Sequence, residues 1–99
     1  MSVAKWFANH VPVIQMPMLK GWAGFATPFA IFVNDRLNTR LVMHEQAHVY
    51  QWWRGWLLGF MWEYAVALYR HGYYNNPFEV LARKHSRAEI QIEQTWPEV

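Results

Sequence analysis

The sequence predicts an α+β domain: a small antiparallel sheet of about three short strands packed on three main helices. Three observations predict it. Residues 22–33 are rich in β-formers and are punctuated by Gly24, Thr27-Pro28 and Asn34-Asp35. Residues 39–53 repeat apolar side chains at helical spacing. Asn76-Pro77 places an N-cap residue directly before a proline that suits the first helical position.

Each element follows from local chemistry. Ser2 can cap a short helix over residues 2–9. Val11 to Leu19 contains Pro12 and Pro17, which lack the amide proton a central strand needs, so an edge or loop position suits it. Trp22 to Ala26 and Phe29 to Val33, joined through Thr27-Pro28, form a hairpin or short meander. Asn38 or Thr39 caps a helix from about residue 39 to Trp53, with Val42, Val49 and Trp53, and Met43, Ala47 and Tyr50, as its apolar stripes. Gly55 ends or bends it, a second helix spans about 56–70, and Gly59 leaves room for close helix contact. His71 to Asn75 reads as a loop. The third main helix starts at Asn76-Pro77 and runs to about Gln94, where Trp96-Pro97 stops it.

Ninety-nine residues make a single domain over 1–99. No cysteine is present, so a disulfide framework and any thiolate metal site are excluded. The net charge of +2 comes from scattered residues with no basic tract, which argues against nucleic acid. Met1 to His10 has no apolar core of secretory type, and the longest apolar run, Trp56 to Tyr69, is broken by Glu63. That run falls short of the roughly 20 residues of a membrane span. A cytoplasmic or intracellular protein is the expectation. Aromatic residues are 18% of the chain, with seven Trp, more than so small a body easily hides. Contact of that surface with a protein partner or a membrane surface is a second expectation.

The chemistry sits in His44-Glu45-Gln46-Ala47-His48. Residues four apart on a helix lie one turn above each other on one face. Two imidazoles so placed can reach one metal ion, with the carboxylate of Glu45 beside them as a general base. A catalytic zinc needs a third protein ligand. A third histidine at the metzincin spacing would need Gly at position 51 and His at 54, where Gln51 and Arg54 stand. The one aspartate, Asp35, lies upstream. Glu63 and Glu79 remain, with Glu89 and Glu93 more remote. Glu63 could equally pair with an arginine, and Glu79 could equally complete a capping box with Asn76.

His44-Glu-Gln-Ala-His48, then Gln51, then Asn76-Pro-Phe-Glu-Val-Leu-Ala82 resembles the gluzincin metallopeptidases, and more narrowly their small single-domain forms, the minigluzincins. The resemblance covers roughly residues 22–88 and implies a zincin-like minimal catalytic domain. In those families a later helix supplies a Glu ligand, often within N-P-x-E, followed three positions on by a small residue. Here those positions are Glu79 and Ala82. Leu81 departs from the pattern, which often carries an acidic residue there.

The resemblance thus implies one Zn2+ on His44, His48 and Glu79, with Glu45 moving the proton in peptide hydrolysis. Tyr73, Tyr74 and His71 are candidate donors to the developing oxyanion, because their loop precedes the ligand helix. A peptide or protein substrate is expected along an exposed edge of the strand Phe29–Val33. Two other readings stand beside an open peptidase. One is a latent enzyme whose cleft is filled by Arg87 to Val99. The other is a non-catalytic component of a larger assembly, stabilised by zinc.

Overall fold

A computed structural model describes residues 2–97 of the chain. Its order is α1 (Val3–His10), β1 (Val13–Gln15), β2 (Gly24–Ala26), β3 (Ile31–Val33), α2 (Thr39–Arg54), α3 (Leu58–Asn75) and α4 (Pro77–Ser86), then a 3-10 turn over Ile92–Gln94. The protein is α+β, with a small sheet packed on helices. Met1, Glu98 and Val99 lie outside the described residues.

The sheet is mixed rather than purely antiparallel. Its order is β1-β3-β2, with β1 parallel and β2 antiparallel to β3. The Pro12–Pro17 segment supplies an edge strand as expected, but the chain crosses to the far side of β3 before forming β2. The strand 29–33 is therefore shorter than expected, and it is central. Both its edges are occupied, and Ile31 and Val33 are fully buried. Thr27 closes the β2–β3 hairpin: its Oγ1 accepts from the amides of Phe29 and Ala30 at 3.3 and 3.0 Å.

α2 is the hub. Asn38 caps it by accepting the Leu41 amide at 3.2 Å. Ala4 and Ala8 of α1, Ile31 and Val33 of β3, Val49 and Tyr50 of α2 and Ile92 form the main core. On the other side, Phe60, Phe78 and Trp96 build an aromatic cluster between α3, α4 and the C-terminal segment.

The junctions depart most from expectation. Gly55 rather than Gly59 is the point of close approach: a Cβ there would lie 2.7 Å from Trp96 and 2.8 Å from the Phe60 amide nitrogen, while none of the neighbours comes within 4 Å at Gly59. Trp56 and Leu57 take left-handed φ of 54° and 62° to turn the chain, so α3 starts at Leu58. Residues 71–75 are a helical turn continuing α3 past a kink at Gly72 (φ 75°), not a loop. α4 stops at Ser86, well short of Gln94, and Ala88 reverses the chain at φ 59°. Core packing explains this, since six further helical residues would carry Ile92 about 9 Å beyond the helix end, away from the core it fills.

Candidate metal centre

α2 presents His44 and His48 one turn apart, and α4 brings Glu79 against them. Asn76 accepts the Phe78 amide at 3.0 Å and Pro77 occupies the first turn, which fixes the direction in which α4 leaves. Glu79 is buried at the third helical position, yet its carboxylate does not close a capping box. It is turned into the site instead. Its Oε1 lies 3.1 Å from His44 Nε2 and 3.1 Å from His48 Nε2, and the two nitrogens are 3.1 Å apart. Among the described residues these three side chains are the group that could hold a metal ion.

Gln51 sets the chemical state of this cage. It is fully buried, and its Nε2 donates to the carbonyls of Phe78 at 3.0 Å and Thr95 at 2.8 Å. Both amide protons are thereby used, so its Oε1 must be an acceptor. That oxygen lies 2.8 Å from His48 Nδ1, which assigns the ring proton to Nδ1. In the neutral ring the lone pair of Nε2 is then directed at the cage, and in the protonated ring Nε2–H donates to Glu79 Oε1. On the other flank the Tyr64 hydroxyl donates to Glu79 Oε2 at 2.6 Å and leaves Oε1 facing the two imidazoles.

The electrostatics agree with this geometry. Burial alone would raise the Glu79 carboxyl, but hydrogen bonds from His44 and His48, the His48 charge and Tyr64 outweigh it and hold the group well below the usual carboxylate range. Burial would favour a neutral His48, but the hydrogen bond and charge of Glu79 win and raise it. The two shifts are two sides of one interaction: the imidazoles hold Glu79 ionised, and the carboxylate favours the protonated form of His48. Glu45 beside them is raised by burial, an effect partly offset by His48 and His44.

The donor set fits zinc. Ligand bonds of 2.0 to 2.1 Å in a tetrahedron separate the donor atoms by about 3.3 Å, close to the 3.1 Å spacing of all three pairs. Two neutral imidazole nitrogens and one carboxylate are a known catalytic combination for that ion. The three donor side chains line a cleft of about 390 Å³ together with Glu45, Tyr64 and Tyr73.

The remaining candidates fall elsewhere. Tyr73 lines the cleft, and its phenol is raised first by burial and then by the charges of Glu79 and Glu45, so it keeps its proton. Tyr74 and His71 do not line it. The kink at Gly72 separates His71 from the tyrosines, and Tyr74 is held by Arg83, whose guanidinium sits 4.3 Å over its ring and donates to its carbonyl. Glu63 is exposed. Glu89 pairs with Arg87 at 2.8 Å and Glu93 with Lys5 at 3.4 Å.

The edge strand facing the cleft is β2, not 29–33, which is sandwiched between β1 and β2. Asn34 donates to the Ala23 carbonyl, and with this register the backbone groups of residues 23 and 25 point to β3. Those of Gly24 and Ala26 therefore point outward along the cleft. The Ala26 carbonyl accepts the Trp52 indole at 3.1 Å. The described part of the C-terminal segment, residues 87–97, does not fill the cleft, and Glu98 and Val99 lie outside the described residues. None of residues 87–97 lines the cleft, because Ile92 is anchored in the core and Trp96 packs on Phe78.

Two partners in the site had no role assigned from the sequence, although Gln51 stands in the quoted pattern. Gln51 carried a signal, since a polar residue three positions after His48 shares its helix face. Tyr64 carried none, because its place depends on how α3 rotates against α4. Comparisons of the chain with protein-family models, with curated proteins and with solved structures each found no match.

Proposed function

We propose that the protein is a zinc-dependent peptidase of gluzincin type. The observation that carries this reading is the convergence of His44 Nε2, His48 Nε2 and Glu79 Oε1 at mutual distances of 3.1 Å on the floor of an open cleft, with Glu45 beside them. The resemblance of His44–His48 and Asn76–Glu79 to the gluzincin pattern supports it. An ion held by His44, His48 and Glu79 would supply Lewis acidity, to polarise a substrate carbonyl and to acidify water.

The chain's own groups do the rest. Glu45, raised by burial toward the range where a carboxylate is an effective base, accepts the proton of the attacking water and returns it to the leaving amine. The Tyr73 hydroxyl, still protonated, is the donor available to the developing oxyanion. The outward-facing backbone of Gly24 holds an extended peptide as an added strand. Gln51 and Tyr64 fix the two ligand flanks so that little reorganisation accompanies the reaction.

The test is hydrolysis of casein and of short peptides by the zinc-loaded protein and its Glu45→Gln variant. The expected result is turnover in the parent, a loss of about 10²–10⁴-fold in the variant, and equal zinc content in both. Zinc in both proteins with turnover in neither would favour a structural role for the metal.

A further inference from the structure

The cage sits between two hollows of different chemistry. One is the cleft of about 390 Å³, whose far wall is Phe25, Trp52, Phe60 and Met61. The other is a trough of about 620 Å³ at the opposite end, lined by Asn38 and Arg40. Both include Trp22, Gly24, His44, Glu45 and Tyr73, so they adjoin at His44 and Glu45. The order follows from α2 itself. Arg40, His44, His48 and Trp52 lie four residues apart along α2, a row that drifts about 40° around the axis at each step, and the two hollows find a cation at its start, two metal ligands within it and an apolar wall at its end. Residues 21–26 run beside them along both hollows.

Arg40 has no ion-pair partner among the described residues, and Glu45 is the one acidic side chain lining its trough. The amino-terminal end of α2 is at the same place and adds positive potential there. One helical turn of four residues rises about 6 Å, which an extended chain covers in about two residues. Building on the peptidase reading, we infer that the substrates are peptides with a large apolar side chain adjoining the scissile bond and a carboxylate about two residues away on the other side. The apolar side chain occupies the aromatic pocket, and the carboxylate meets Arg40.

Three peptides of equal length test this: one carrying Phe and Glu at those places, one Phe and Lys, one Ala and Glu. Cleavage by the zinc-loaded parent is compared with binding to the zinc-loaded Glu45→Gln variant, followed by tryptophan fluorescence. The Phe/Glu peptide should exceed each of the others by about tenfold in both measurements, and Arg40→Glu should reverse the order of the Glu and Lys peptides. Hydrolysis with no preference overturns the inference and leaves the peptidase reading standing. The same order in binding without hydrolysis by the parent overturns the peptidase reading and keeps the ligand class. Neither binding nor hydrolysis overturns both.

Discussion

α2 and α3 are of similar length and share the cleft, yet they are built on opposite terms. α2 has a side-chain cap at Asn38 and buries Glu45, Ala47, His48, Val49, Tyr50 and Gln51, which are consecutive but for Gln46. α3 has no side-chain cap, enters through two left-handed residues, breaks at Gly72 and buries Phe60 alone. Its Leu58, Trp62 and Tyr69 stand in solvent, Tyr69 at 93% exposure. Both helices still serve the site, since α3 supplies Tyr64 and Tyr73. The difference teaches a division of labour. His44 and His48 rest on the element that the core holds on several sides, while the Tyr64 and Tyr73 hydroxyls come from one held on a single side. An apolar sequence does not ensure burial, whereas a polar residue such as Gln51 is buried when every proton it carries has an acceptor.

Substitutions in α2 should therefore cost more than their counterparts in α3. The largest effect is expected for Gln51→Leu. It frees the His48 ring and removes the side-chain donor to the Phe78 and Thr95 carbonyls. Zinc affinity measured by competition with a chelator should fall about 10–100-fold, and denaturant unfolding should show a loss of about 2–4 kcal/mol. A Gln51→Leu protein that binds zinc as the parent does would break the comparison at its strongest point.

Tyr64→Phe comes next. It removes one hydrogen bond to Glu79 and no packing volume beyond an oxygen. The same two measurements should register a decrease in zinc affinity of less than about tenfold and a stability loss of about 1 kcal/mol. A larger loss of metal than Gln51→Leu causes would show that α3, not α2, organises the cage. The smallest effect belongs to the outer face of α3. Trp62→Ser should change the unfolding free energy by no more than about 0.5 kcal/mol, with zinc affinity unaltered, because Trp62 is 70% exposed.

The same contrast accounts for what the sequence made legible. Helix starts at residues 39 and 77 are written in a few adjacent residues, because Asn38 and Asn76 cap their own helices through contacts two or three positions away. The small sheet and its punctuation were legible for the same reason. Strand order was not: that β3 is central and β1 parallel to it depends on where the loop 16–23 crosses, which no local signal specifies. The end of α4 was hidden too, since it is set by the need of Ile92 for the core rather than by helix propensity at Arg87. In the site, the pair His44 and His48 is local and was legible, whereas the approach of Glu79 depends on α4 docking against α2. Tyr64 is the sharpest case. It stands one residue from Glu63, a rotation of about 100° on the helix, and that rotation alone separates the partner of Glu79 from an exposed carboxylate.

The central claim is that His44, His48 and Glu79 together hold one metal ion. Calorimetric titration of Zn2+ into the metal-free protein, beside its Glu79→Ala and Glu45→Gln variants, tests it most directly. The account predicts one ion per chain in the parent, the same stoichiometry and near-equal affinity in Glu45→Gln, and affinity lower by at least about 100-fold in Glu79→Ala, which removes a direct ligand. Zinc binding by Glu79→Ala as tight as by the parent, or no binding by the folded parent, would contradict it.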